Sequence, residues 1–267
     1  MKTFQSTFGA VGRRFFDFIV QLYKIVQLTG QTFYWLLIAP FKKEKIRWGL
    51  AFVQMVRIGV NSVGIVGVIS FSVGLIIAMQ AAYQLERFGA TIFVADLVGV
   101  SITRELGPLI TAIIVAGRSG SAIAAEIGTM KVSEEIDALQ TMGIHPISYL
   151  VVPRTLAMII VLPCLTILSD FIGISGGFFL AIFSLKIPFV AFLNEMASAI
   201  LLKDFMTGLI KSFFFAIIIS QIGAYQGFSV RGGAEGVGKS TTASVVSSIF
   251  LIIMADTFFT AFFFSTF

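Results

Sequence analysis

The sequence predicts an all-α integral membrane protein, in which an N-terminal interfacial helix precedes about five transmembrane helices. Three observations predict this fold class. Hydrophobic residues make up 57% of the 267 positions and charged residues only 12%, whereas soluble domains average about 45–50% and about 25%. The mean hydropathy is +0.96. Folded in water, such a chain would expose large apolar patches.

The third observation is the length of the apolar segments. A helix needs about 20 mostly apolar residues to cross the hydrocarbon core of a bilayer. The third candidate span exceeds that length and contains Pro163, which predicts a tilted or kinked helix. The five candidate spans are residues 57–80, 92–117, 151–181, 205–226 and 242–264.

Residues 1–45 differ in character from the rest of the chain. Between residues 12 and 38, polar side chains such as Gln21 and Lys24 interrupt the hydrophobic residues with helical periodicity. This pattern predicts an amphipathic helix that lies in the membrane interface. A sixth membrane span is the alternative interpretation of this segment. On either interpretation, residues 46–267 form the membrane domain.

The distribution of basic residues predicts the orientation. Nine of the 19 Lys and Arg residues lie between Lys2 and Arg57, and basic residues concentrate on the cytoplasmic side of membrane proteins. We therefore expect a cytoplasmic N-terminus and, after five spans, a C-terminus on the outer side. The connections 118–150 and 227–241 then lie in the cytoplasm. Apolar residues intersperse the basic arm, so we expect no nucleic-acid partner.

The sequence gives no indication of a metal or cofactor. Cys164 is the single cysteine and lies within an apolar run, so neither a disulfide framework nor a cysteine-based metal site is expected. His145 is the single histidine, and no second histidine exists to form a proton relay with it.

One motif suggests nucleotide binding. Residues 233–240, GAEGVGKS, match the phosphate-loop pattern G-x-x-x-x-G-K-S/T. A phosphate loop must follow a buried strand within a nucleotide-binding domain, and these residues lie between two membrane spans. We interpret them as a flexible cytoplasmic turn, with Lys239 near the lipid headgroups and Ser240 or Thr241 capping the final helix.

The segment 129–147 predicts a short amphipathic helix. Ser133 can cap its N-terminus, and Glu134 and Glu135 suit the positive end of the helix dipole. Gly143 can end the helix. A helix of this kind suits docking into the groove of a partner protein, and a helix resting on the membrane fits the pattern equally well. Its apolar stripe comprises Val132, Ile136, Leu139 and Met142.

Ionisable residues also occur within the predicted spans. Each one costs about 2.5–3.5 kcal/mol at the centre of the bilayer, so such residues usually face a cavity or an oppositely charged partner. Five such residues occur: Arg104, Glu105, Lys211 and Asp256, and Asp170 in the third span. We expect the first four of these to neutralise one another, either as a structural ion-pair network or as part of a substrate pathway.

Two stretches carry a resemblance to a known family. TRELGPLITAIIVAGRSGSAIAAEIGTMKVSEEIDALQTMGIHP at 103–146 and GAEGVGKSTTASVVSSIFLIIMADTFFTAFFF at 233–264 resemble the MlaE/YrbE family of ABC transporter permeases. The likeness extends more weakly from about residue 45 to the end. It implies a homodimeric permease that moves phospholipid between inner and outer membranes of bacteria. The subunit itself is then not an enzyme.

The resemblance also implies partners. They are a second copy of the chain, a cytoplasmic ABC ATPase subunit, a periplasmic MCE-domain protein and, in many complexes, a STAS-domain subunit. The helix near 133–142 matches the family's coupling helix, which docks on the ATPase. The charged positions within the family's spans fall on Arg104, Glu105, Lys211 and Asp256. The residues implied for the coupling helix are Glu134, Glu135, Ile136, Ala138, Leu139, Met142 and Gly143.

On this interpretation an apolar lipid cavity lies between the two subunits. The last span and the outer half of the first span, at Leu75, Met79 and Tyr83, would line it. Three alternatives stay open: an ion-coupled secondary transporter that uses the buried charges as a relay, a permease for another lipid such as a sterol, and a passive membrane anchor.

Overall fold

The protein is built of helices joined by short connections. The computed structural model describes residues 19–38 and 47–266, and within these ranges there is no β-strand. The helices of this part of the chain are α1 (19–38), α2 (Trp48–Glu86), α3 (Thr91–Val132), α4 (Glu135–Thr141), α5 (Ile147–Phe183), α6 (Phe189–Ala199), α7 (Leu202–Phe228) and α8 (Gly233–Thr266).

Within the described ranges, five helices are long and apolar enough to cross a membrane: α2, α3, α5, α7 and α8. The predicted fold class and the five spans are therefore confirmed. The helices extend well beyond the apolar segments that predict them. Helix α3 has 42 residues, or about 63 Å at 1.5 Å per residue, whereas the hydrocarbon core is about 30 Å thick. The ends of α3 must therefore reach past the hydrocarbon.

Helix α1 is not among the five spanning helices. Its Leu28 is buried in the main core, and Oγ1 of Thr32 lies 3.2 Å from Oε1 of Gln221 on α7. The ring of Trp35 lies 5.0 Å from that of His145. The rest of the predicted basic arm, residues 1–18 and 39–46, lies outside the described residues, and the interfacial position of α1 stays a prediction.

Helices α2 and α5 form the most extensive helix pair. Glycines let the two backbones approach closely: a Cβ atom on Gly74 would overlap the carbonyl of Gly173, and one on Gly176 would overlap the carbonyl of Phe71. Small residues at interfaces provide this close packing where lipid removes the hydrophobic driving force. Helix α7 lies against α3, α5 and α8, and its Phe215 and Ile219 belong to the main core.

Helix α3 contains two widened π-helical turns, at Ile102–Leu106 and Ala116–Gly120. In the first, the N–H of Gly107 bonds the carbonyl of Ile102, five residues back. Pro108 follows directly and lacks the N–H that would bond the carbonyl four residues before it. Turns of this kind are frequent at functional sites, and here the first carries Arg104 and Glu105 and the second carries Arg118.

Helix α6 is absent from the sequence predictions. Its Phe192 is fully buried against Ala95 and Ala181, which attaches the helix to the ends of α3 and α5. The helix has only 11 residues, too few to span a bilayer, which is why a search for long apolar segments misses it. Helix α5 continues through Pro163.

Candidate functional site

Three of the four predicted intramembrane charges meet at one point. The side chain of Lys211 on α7 has no exposed surface. Its Nζ donates to Oε2 of Glu105 on α3 at 2.5 Å and to Oγ1 of Thr260 on α8 at 2.8 Å. It also forms an ion pair with Oδ1 of Asp256 at 2.9 Å. The hydroxyl of Thr260 donates to Oε1 of Glu105 at 2.7 Å.

We call Glu105, Lys211, Asp256 and Thr260 the ion network. It joins three spans through one buried ammonium group, whose partners offset the cost of a charge within the bilayer. The two carboxylates are less buried than the lysine: the Glu105 side chain is 34% exposed and that of Asp256 15%. The network therefore has a buried cation and an acidic side that reaches the surface of the subunit.

Arg104 is separate from this network, although sequence reasoning grouped it there. Its Nε lies 3.5 Å from Oδ1 of Asp204, and its side chain is 36% exposed. Asp204 lies in the first turn of α7 and accepts a hydrogen bond from the N–H of Leu201 through Oδ2 at 3.0 Å. Sequence reasoning missed Asp204. The signal was an acidic residue at the start of an apolar helix, where it stabilises the positive end of the dipole.

Asp170 on α5 is also apart from the ion network. It is 4% exposed and packs against Gly107, where a Cβ atom would overlap its Oδ1. Among the described residues, that oxygen has no hydrogen-bond partner. Only glycine fits at position 107, because any side chain there would displace the carboxyl group of Asp170.

The predicted helix near 133–142 is observed as α4, Glu135–Thr141. Ser133 does not cap it: its hydroxyl donates to the carbonyl of Thr129 at 2.9 Å, at the end of α3. The residue before the helix is Glu134, which adopts a left-handed conformation with φ of 60°. Gly143 follows the helix with φ of 74°, a conformation that favours glycine.

The apolar stripe of this segment is not one docking face, which corrects the prediction. Ile136 and Leu139 are 3% and 9% exposed and belong to the main core, whereas Val132 and Met142 are 43% and 65% exposed. Helix α4 is therefore held to the body of the subunit by two side chains. The opposite face is exposed and carries Glu134, Glu135, Asp137, Ala138 and Met142.

The phosphate-loop pattern is helical, and its interpretation as a flexible turn is wrong. Residues 233–240 form the first two turns of α8, and the preceding element is the span α7. Nζ of Lys239 lies 2.7 Å from Glu235 at the surface. Neither predicted cap is observed, since Ser240 donates to the carbonyl of Gln226 and Thr241 to that of Gly238.

The residues predicted to line a lipid cavity lie in the C-terminal part of α2. Met79 and Tyr83 are 51% and 60% exposed, and Leu75 is partly exposed. Within a single subunit they form part of an open face. Near the end of that face, Arg87 donates to the hydroxyl of Tyr83 at 2.5 Å.

Together these features define the class of the protein: a multi-pass integral membrane protein with ion pairs between its spans and a short helix displayed between two of them. The sequence model of a family described as "Permease MlaE" matches residues 51–262, which cover the five spans almost entirely. The chain belongs to the MlaE permease family of ABC transporters.

Similar proteins support the same assignment. The "Probable ABC transporter permease protein" of Rickettsia typhi is 41% identical over 224 residues, which cover 84% of this chain and 86% of that protein. A protein with the same description from a Synechocystis species is 40% identical over 231 residues, 86% of each chain. The chloroplastic "Protein TRIGALACTOSYLDIACYLGLYCEROL 1" of Arabidopsis thaliana is 38% identical over 224 residues, 83% of this chain and 63% of that protein. The family resemblance in the sequence is confirmed.

Proposed function

We propose that two copies of this chain form the membrane pathway of an ATP-driven transporter that moves phospholipid between inner and outer bacterial membranes. The observation that carries the proposal is the attachment of α4. Ile136 and Leu139 fix the helix to the core, while its acidic face is exposed. Such a helix can dock on a partner and transmit the displacement that the partner imposes.

The transmission route is α3. It continues from Val132, beside α4, back to the π-helical turn that carries Glu105. We expect ATP binding by a separate ABC ATPase to move α4, and with it α3 relative to α7. The hydrogen bond from Lys211 to Glu105 lies at that boundary, so the ion network would hold α3 and α7 in register or release them.

A lipid substrate fits the exposed apolar surface. The outer part of α2 at Leu75, Met79 and Tyr83 and the exposed Phe258 and Phe262 of α8 would supply walls for acyl chains once a second copy closes over them. The name of the Arabidopsis relative contains that of a glycolipid, trigalactosyldiacylglycerol, which favours a lipid over an ion as the substrate.

The basic N-terminal region favours an N-terminus in the cytoplasm and, after five spans, a C-terminus in the periplasm. The subunit would then lie in the bacterial inner membrane. An MCE-domain protein on the periplasmic side would exchange lipid with the dimer. A STAS-domain subunit would bind on the cytoplasmic side with the ATPase.

Reconstitution tests this proposal. The chain is purified with its native partners, inserted into liposomes that contain a fluorescent phospholipid, and assayed for lipid transfer. We expect an ATPase and an MCE-domain protein to co-purify, and transfer to require hydrolysable ATP. A non-hydrolysable ATP analogue serves as the control.

Three other results would each contradict part of the proposal. Transfer driven by a proton gradient without ATP would identify a secondary transporter. Transfer of a labelled sterol in preference to phospholipid would change the substrate. An absence of bound lipid and of transfer, with the partners still assembled, would identify a passive anchor.

A further inference from the structure

A second group of charged side chains lies on the α4 side of the ion network. On α3, the stretch from Leu106 to Gly117 contains no charged residue, and Arg118 follows it. The stretch of about 12 residues corresponds to about 18 Å along the helix. If Glu105 lies close to the centre of the bilayer, on the side away from α4, this distance puts Arg118 near the edge of the hydrocarbon on the α4 side. Arg57 on α2 and Arg154 on α5 accompany it.

Glu126 is the acidic partner within this group. Its Oε2 accepts from Nη2 of Arg154 at 2.9 Å, and its Oε1 forms an ion pair with Arg57. Arg154 also donates to the carbonyl of Leu150 at 2.7 Å. One carboxylate thus serves two guanidinium groups.

Arg118 has no carboxylate partner among the described residues. Its Nη1 donates to the hydroxyl of Ser62 at 2.7 Å, which holds the guanidinium in place without neutralising it. With Arg57, Arg154 and Glu126, the group has three positive charges and one negative charge. At the edge of the hydrocarbon, a partly buried arginine without a negative partner is stabilised when an anionic group approaches it.

A cavity of about 180 Å³ lies at this point between α2 and α3. Arg57, Arg118, Gln54 and Glu126 supply its polar lining, and Ile58 and Ile123 supply apolar walls. We call it the arginine groove. Gln54 also lines an adjacent cavity of about 220 Å³, which reaches Arg154 and Tyr149, so the groove continues towards α5.

We propose that the arginine groove binds the phosphate group of an anionic membrane lipid. Guanidinium groups match the geometry of phosphate oxygens and hold them with paired hydrogen bonds, and basic pockets between transmembrane helices bind anionic headgroups. The apolar walls favour a phosphate that carries acyl chains over free phosphate. The site depends on neither α4 nor transport, so it is separable from the proposed function.

Native mass spectrometry of the purified full-length chain tests this site. The ligands are phosphatidylglycerol, phosphatidylcholine and inorganic phosphate, and the variants are Arg118→Gln, Arg118→Lys and Arg57→Gln. Arg231→Gln is the matched control, because Arg231 is exposed and outside the groove. We expect the wild type to bind phosphatidylglycerol more tightly than phosphatidylcholine, and each glutamine variant to lose about fivefold in affinity for phosphatidylglycerol.

The lysine variant should retain part of that affinity, and Arg231→Gln all of it. Equal binding of phosphatidylglycerol by the wild type and both glutamine variants would overturn the proposal. Inorganic phosphate that binds as tightly as the lipid, with the same dependence on Arg118, would assign the groove to free phosphate and overturn its lipid part. Since Arg57 is half exposed, Arg57→Gln keeps the test valid if Arg118→Gln fails to fold.

Discussion

The ion network contains a buried charge that is paired within the chain, whereas helix α4 carries exposed charges. Lys211 has no exposed side-chain surface, and its partners Glu105 and Asp256 belong to the same chain. Glu135 on α4 is exposed, and the helix beneath it is held by Leu139. Substitutions in the network should therefore change the stability of the subunit, whereas substitutions on the outer face of α4 should change only what it does with a partner.

The largest effect is expected from Lys211→Met. Removal of the ammonium group leaves two carboxylates facing each other without a cation, and breaking a buried ion pair costs about 3–5 kcal/mol. We expect a large fall in melting temperature in detergent and poor recovery of the folded subunit. Lys203→Met on the same helix, where the lysine is exposed, is the control and should behave as wild type. A stable Lys211→Met subunit would show that the network does not hold the spans together.

Leu139→Ala should be the next most damaging change. Leu139 is 9% exposed in the main core, and truncation of a buried leucine costs about 2–5 kcal/mol. The stability of the subunit alone, without partners, should fall. Met142→Ala, at the residue that follows the helix, is the control and should leave that stability unchanged, because Met142 is 65% exposed. Equal effects of the two substitutions would contradict the assignment of an inner and an outer face to α4.

Asp256→Asn should destabilise less than Lys211→Met. The network holds two carboxylates and one ammonium group, so loss of one negative charge brings it to neutrality while the hydrogen bond from Lys211 to Glu105 remains. Loss of one charged partner of the buried ammonium group costs about 1–3 kcal/mol. Thermal unfolding of the single variants and of their double variant measures the coupling. If Asp256→Asn were as harmful as Lys211→Met, Asp256 would be the dominant partner of the lysine.

Within the predicted group of intramembrane charges, Arg104→Gln should have the smallest effect on stability. The side chain is 36% exposed and 3.5 Å from Asp204, and exposed ion pairs contribute about 0–1 kcal/mol. Lipid transfer measured on the same preparation separates the two roles. A loss of transfer with stability intact would assign Arg104 to contact with a lipid headgroup, and a stability loss as large as that of Lys211→Met would place it in the structural network after all.

The spans could be predicted from the sequence because hydrophobicity over about 20 residues decides membrane insertion. The helix ends could not, since α3 and α8 continue into polar sequence where contacts with other helices, such as Ser240 with Gln226, decide the outcome. The prediction of a flexible turn at residues 233–240 was wrong for the same reason. The glycines of this segment permit a loop, but packing against α7 makes the segment helical.

Most residues of the candidate site could be predicted from the sequence, but the contacts between them could not. Charges within apolar segments identify Lys211, Glu105 and Asp256 as needing partners, but the sequence does not say which charges meet. Arg104 is adjacent to Glu105 in sequence, yet it points to Asp204. Likewise, periodicity predicted the apolar stripe of α4, but only tertiary packing shows that Leu139 faces inward and Met142 outward.

In the proposed mechanism, a separate ATPase docks on the exposed face of α4 and moves this helix. The most direct test measures ATP hydrolysis and lipid transfer by the reconstituted complex with Glu135→Lys, against Glu235→Lys as an exposed acidic control on α8. We predict that Glu135→Lys leaves the melting temperature of the subunit alone unchanged but abolishes ATP-dependent transfer, while Glu235→Lys keeps it. Full transfer and hydrolysis with Glu135→Lys would contradict the assignment of α4 as the coupling element.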